Sequence, residues 1–287
     1  MASVRLIRGR IRTARNIAQI TRAMELVAAS KMRKAQAQAQ AGKLYAEKIF
    51  EMVMRLSGSV RFAEHPLLSA PKKPTGRRLL ILISTNKGLC GGLNTNLFRF
   101  LLKEYPNIAR HDFVTLGRKG AGFVTRGGSQ LKADFSETSP FSQTVPALIE
   151  LVVHEYLSGL YDGVDIFYNE FISALRHEPR KRTILPLTLA ALPGGTVAPG
   201  PAIDFLVEPS VTIVFQALLP HYLENQLREA VIEAEASEHS ARMVAMRNAT
   251  DNALSFIYEL TLLYNKARQE KITYEISDMI TARSAVD

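Results

Sequence analysis

The stretch that decides the fold is residues 211–267, VTIVFQALLPHYLENQLREAVIEAEASEHSARMVAMRNATDNALSFIYELTLLYNKA. A strict four-three repeat from Val211 selects Val211, Phe215, Leu218, Tyr222, Asn225, Glu229, Ile232, Ala236, His239, Met243, Met246, Thr250, Ala253, Ile257, Leu260, Tyr264 and Ala267. Thirteen of these 17 are apolar, against 47% for the whole chain. A seam sustained over so many heptads predicts a long helix in a left-handed supercoil. The helix is expected from about Ser210 to Arg283, roughly 110 Å at 1.5 Å per residue. Pro220 should kink it or mark its true start.

The helix needs a partner, because one this long is stable in water only when an apolar face is packed. The other end of the chain supplies one. Of 17 Gly and 13 Pro, only Gly9, Gly42 and Pro220 lie outside residues 58–209, so both ends are nearly free of the residues that break helices. From Ser3, a reasonable N-cap, to Leu56 the chain is rich in strong helix formers. Val4, Ile7, Ile11 and Ala14 recur at helical spacing, and Ile17, Ile20, Met24 and Val27 continue the pattern after a small phase slip. Residues 1–56 carry 12 Lys and Arg against 3 Asp and Glu, whereas residues 205–287 carry 7 against 12. Opposite charge favours pairing of the two ends. Because the middle segment returns the chain to its start, the pair should be antiparallel. The C-terminal helix is longer by about 20 residues, so Ile272, Ile276, Met279 and Ile280 should lie on a lone apolar tip that implies a foreign socket.

Between the helices, Arg78–Ser84, Asp112–Leu116 and Val164–Tyr168 read as strands. Asn94–Lys103, Arg118–Thr125 and Val145–Ser158 read as helices. Thr183–Leu189 is a further edge-strand candidate, since Pro186 cannot donate to a ladder. The expected fold is α/β with long helices: a terminal antiparallel coiled coil and a small, mostly parallel, Rossmann-like sheet domain. The expected division is 1–57 helix, 58–209 α/β domain with its linkers, and 210–287 helix.

Chemistry is sparse. The turn Gly88-Leu-Cys-Gly-Gly-Leu-Asn94 follows a strand and precedes a helix, where α/β sheets cradle phosphates. It matches neither a dinucleotide fingerprint nor a Walker loop, and reads as a tight structural turn. Cys90, the only cysteine, has no neighbouring His or Asp and reads as a buried thiol. The six histidines, His65, His111, His154, His177, His221 and His239, form no local metal pair. His239 falls on the seam. The basic run Arg5–Arg15 lacks the aromatic residues that stack on single strands. It has no apolar core typical of a secretion signal, and no apolar run reaches membrane-spanning length. Two rivals remain: an adaptor binding nucleic acid or anionic lipid through the basic helix, and a nucleotide-binding α/β protein with helical arms.

Four segments together resemble the gamma subunit, or central stalk, of F-type ATP synthases: Thr21–Gln36 (TRAMELVAASKMRKAQ), Lys87–Phe98 (KGLCGGLNTNLF), Ala236–Ala253 (ASEHSARMVAMRNATDNA) and Tyr264–Ile276 (YNKARQEKITYEI). The family usually has Asp and a basic residue before the glycine turn, where this chain has Asn86 and Lys87. With Cys90 alone, the chain lacks the cysteine pair of the chloroplast form and looks bacterial. The resemblance implies a non-catalytic rotor without cofactor or metal, on the cytoplasmic face of the bacterial membrane. Its paired helices would turn inside a hexamer of alpha and beta subunits. Its α/β domain would meet the epsilon subunit and the c-subunit ring, with no nucleic-acid partner. By motif position, Met24, Arg242, Arg268, Gln269, Thr273 and Glu275 are the implied contacts to alpha and beta.

Overall fold

In a computed structural model, the structure describes residues 4–57, 66–69, 74–138, 140–187 and 207–284. The proposed N-cap Ser3, His65, and the last two residues of the Thr183–Leu189 strand lie outside them. Two helices dominate: α1 (Val4–Ser57, 54 residues) and α5 (Val211–Ser284, 74 residues). Ser210 caps α5, its Oγ accepting the Ile213 N–H at 3.3 Å. Pro220 therefore does not mark the start; the helix runs through it. Pro220 and the preceding-turn residue Gln216 are both exposed, so the carbonyl that proline deprives of a donor can face water.

The chain divides into two compact units, Met1–Ala29 with Arg242–Asp287, and Ser30–Ala241. In the first, α1 and α5 run antiparallel. Ile7 and Ile11 pack with Leu260, with Ile257, Tyr264 and Ala267 at the margin. Arg8 donates to the Tyr264 hydroxyl at 2.6 Å, and Thr21 and Thr250 share a buried hydroxyl–hydroxyl bond of 2.7 Å. On α5 the four-three reading holds, with Met246, Thr250 and Leu260 buried. On α1 the seam has no phase slip. It runs Ile7, Ile11, Ala14, Ala18, Thr21 and Ala28, whereas Ile17, Ile20 and Val27 are 48%, 60% and 57% exposed. Beyond Ile11 the physical reason is size: small side chains let two helices approach closely, so from Ala14 the seam follows them rather than the most apolar residues.

The second unit holds the sheet. β1 (Leu79–Ile83), β2 (Asp112–Leu116), β3 (Gln130–Asp134), β4 (Val164–Phe171) and β5 (His177–Leu185) lie in the order β3-β2-β1-β4-β5. All neighbours are parallel except the β4–β5 hairpin. The sheet is thus mostly parallel, as expected, and its β5 edge is antiparallel. β3 was not anticipated, and β5 begins six residues before the expected Thr183.

Strand alternation sorts the core onto two faces. Leu80, Leu82, Phe113 and Phe167 face α2 (Leu93–Glu104) and α3 (Arg118–Arg126) through Leu97, Leu101 and Val124. Leu79, Ile81, Ile83, Val114, Ile166 and Tyr168 face the other way. They pack with α4 (Val145–Leu157), with Ile49 and Val53 of α1, and with Phe215, Leu219, Leu223, Leu227, Val231 and Ala234 of α5. The early part of α5 therefore buries a second stripe, which starts with the tested heptad at Phe215, runs at four-residue spacing to Val231 and so drifts away from it, while the expected seam residue Glu229 is exposed. At the entry to α3, Gly117 has φ +102°, and a Cβ there would meet the Ser84 carbonyl oxygen at 2.3 Å. Only glycine permits that approach.

Candidate functional site: an exposed helical surface and a filled crevice

In an open doubly wound sheet, ligands bind beyond the carboxyl ends of the strands where the strand order reverses. Here that place lies between β1 and β4, beside the Gly88–Asn94 turn. α5 occupies it. The residual cavity, about 10 Å³, is lined by Ile83, Ser84, Thr85, Asn169, Glu235 and Glu238 among others, room for about one water. Glu235 reaches across it and accepts the Phe141 N–H at 3.0 Å, and burial raises its pKa above the usual carboxylate value.

The glycine turn closes on itself. Asn94 accepts from the Thr85 N–H at 3.3 Å and donates to Thr85 Oγ at 2.7 Å, and Thr85 Oγ donates to the Lys87 carbonyl at 2.8 Å. Leu89 and Gly91 have φ of +63° and +59°. Cys90 is buried against Leu93 and Ala241. This geometry is that of a structural turn packed on α5.

The open surface of the molecule is helical. From Arg268 to Arg283, 16 consecutive residues of α5 are all exposed. Within that run Ile272, Tyr274, Ile276, Met279 and Ile280 are 43–65% exposed, so the expected apolar tip is present. Along the helix pair, Leu6, Ile17, Ile20, Leu26 and Val27 of α1 and Leu254, Phe256, Tyr258, Leu262 and Leu263 of α5 also face outward. Large apolar side chains exposed at this density mark an interaction surface. Sequence reasoning placed Ile17, Ile20 and Val27 in the seam; their bulk beside small seam residues was the signal that they point out.

The six residues singled out by motif are spread along the helices. Met24 is half-buried, within a turn of the Thr21–Thr250 contact, and Arg242 is half-buried on α5. Arg268, Gln269, Thr273 and Glu275 lie in the single-helix extension, which starts roughly 27 Å along α5 from Thr250. There Thr273 Oγ donates to the Gln269 carbonyl at 3.0 Å, and Glu275 pairs with Lys271 at 3.3 Å. Both interactions are local to the helix and leave the side-chain ends open to water.

A long helix pair, an exposed single-helix tip and a small sheet packed against both long helices form an unusual combination, and it has relatives. The profile of the ATP synthase family covers residues 3–286. The chain belongs to the ATP synthase gamma-chain family. The ATP synthase gamma chain of Opitutus terrae is 43% identical over 99% of both chains. That of Dehalococcoides mccartyi (strain BAV1) is 40% identical over the full length of both. Among solved structures, the central stalk and c-ring structure of the Tetrahymena thermophila mitochondrial ATP synthase matches 80% of this chain and 99% of its own at TM-score 0.58 and 25% identity. A Euglena gracilis mitochondrial ATP synthase chain shares the fold over 99% of this chain, with TM-score 0.65 and 21% identity. As a gamma chain, the protein is the non-catalytic central shaft of the membrane-bound complex. Among the described residues no helix is long and apolar enough to cross a membrane.

Proposed function

We propose that the helix pair turns within the ring of alpha and beta subunits, on the cytoplasmic face of the membrane. The exposed apolar extension Arg268–Arg283 carries this reading, since side chains of that size left in water call for a surrounding sleeve. The functional division follows the chain: residues 1–57 and 210–287 form the shaft, and 58–209 with its linkers meets the epsilon subunit and the c ring. Rotation of the ring turns the shaft. A beta subunit responds only insofar as the shaft contacts its conformations unequally.

Two features make that contact unequal. The helix pair presents different side chains on its α1 and α5 sides, and among the described residues only α5 continues beyond Val4. Met24 and Arg242 then meet beta-subunit loops along the pair, and Arg268, Gln269, Thr273 and Glu275 meet alpha and beta around the extension. The test is reconstitution with matching alpha and beta subunits. The three-component mixture should hydrolyse ATP far faster than alpha and beta alone. Alanine at Arg268, Gln269 and Thr273 together should weaken coupling without altering the thermal stability of the free chain. Equal activity with and without this chain would refute the reading.

A further inference from the structure

The sheet domain grips α5 from two sides. On one side stands the β4–β5 hairpin. Arg182 on β5 donates to Glu229 at 2.8 Å, Ser237 Oγ donates to the Asn169 carbonyl at 2.9 Å, and Ser240 Oγ donates to the Ala174 carbonyl at 2.5 Å. Ser237 and Ser240 are fully buried. On the other side, Glu235 holds the backbone N–H of Phe141, where the 3₁₀ turn Phe141–Thr144 leads into α4. At about 100° per residue, Glu235 points roughly 160° from Ser237 and 140° from Ser240. The two sets of ties therefore act on nearly opposite faces of one helix.

That arrangement matters mechanically. Twisting a rod about its axis requires a couple, meaning forces on opposite sides. A tie on one face alone bends the rod or peels away from it. By contrast, α1 is not gripped alongside Asn225–Glu233, at the start of this stretch. Its residues 37–45 are all exposed, and an open groove of about 250 Å³ separates Gln38, Gly42 and Ala46 from Asn225, Arg228 and Ile232 of α5.

We propose that torque passes from the α/β domain into the shaft through α5, at a two-sided grip on residues 229–240, with Glu235 and the Ser237–Ser240 pair as its positioning residues. This rests on the rotor function proposed above. Three of the four ties run from α5 side chains to backbone groups of the sheet domain, so the grip holds angle without needing large buried area.

The test uses the complete membrane complex in vesicles, scoring ATP hydrolysis and ATP-driven proton uptake per assembled complex. The triple variant Glu235→Ala, Ser237→Ala, Ser240→Ala should retain hydrolysis and lose proton uptake. Glu235→Gln, which keeps an acceptor for Phe141, should stay coupled. Glycine at Ala39 and Ala41 of α1 should also stay coupled. If the triple variant does not assemble, Glu235→Ala against Glu235→Gln makes the same comparison. The proposal is overturned if uptake and hydrolysis keep their normal ratio in the alanine variants, or if the α1 glycines uncouple as strongly. Failure of the rotor function itself is distinct: the unmodified chain would then give no stimulation of alpha and beta.

Discussion

Glu233 offers a quantitative test of how the sheet and α5 fit together. It sits one turn from Glu229 on α5, facing Tyr168 and Glu170 of β4 and Arg182 of β5. Its Oε2 is buried without a hydrogen-bond partner, as is the Tyr168 hydroxyl. Burial pushes its pKa up from 4.5 to about 7; Arg182 and the adjacent Tyr168 hydroxyl pull it down, while Glu229 and Glu170 add to the rise. The sign follows from proton counting. Between pH 4.5 and 7 the folded chain holds a proton that the unfolded chain has released. Stability therefore falls as pH rises through this window, and the loss is complete above it. The shift corresponds to about 3 kcal/mol as an upper figure, since Glu233 is not wholly sealed from water. Glu233→Gln mimics the protonated form at nearly constant shape. Thermal unfolding of the free chain should find the two proteins nearly equal at pH 5, with the Gln variant several degrees more stable at pH 8. A difference that stays constant from pH 5 to 8, or one that favours the native chain at pH 8, would refute the reasoning.

Other perturbations probe separate parts of the molecule. Asp165 is fully buried, held by Arg78 through bonds of 2.7 and 3.0 Å and by the hydroxyls of Tyr105 and Thr183. Arg78→Met strands that carboxylate and should cost about 3–5 kcal/mol in denaturant unfolding. Within the α1 seam, Ala18→Leu should cost about 1–3 kcal/mol by forcing the helices apart. Its exposed neighbour Ile17→Gln should change the free chain by no more than about 0.5 kcal/mol, yet weaken assembly with alpha and beta in a pull-down.

The long helices were legible because their cause is compositional: with few Gly and Pro, and with a periodic face, the ends of the chain have little alternative. The buried strands β1, β2 and β4 were legible as short apolar runs. β3 was not, since Gln130-Leu-Lys-Ala-Asp134 is an edge strand whose outer residues face water and carry no apolar signature. The start of β5 was hidden for the same reason, as His177–Arg182 is strongly polar. The grip on α5 was also invisible. Its acceptors at Asn169 and Ala174 and its donor at Phe141 are backbone groups, which any sequence would supply. The contact residues, for their part, were reachable only through resemblance. Their partners lie on other chains, and nothing within this chain's periodicity distinguishes an exposed arginine that binds from one that merely dissolves.

The misread seam of α1 carries the deepest connection between sequence and function. A helix pair can bury its bulky residues inward and gain more stability per residue. This one buries Ala14, Ala18, Thr21 and Ala28 and turns Ile17, Ile20, Leu26 and Val27 outward. For a free-standing coiled coil that choice forgoes apolar burial. For a shaft inside a sleeve it serves two ends at once. Small seam residues bring the axes together and leave few soft side chains between them, which favours torsional stiffness. The displaced bulk then forms a surface that differs from one side of the shaft to the other, and unequal contact is what a shaft needs to shift its neighbours between conformations. The Ala18→Leu and Ile17→Gln pair separates these ends, because the first should alter the shaft and the second only what surrounds it.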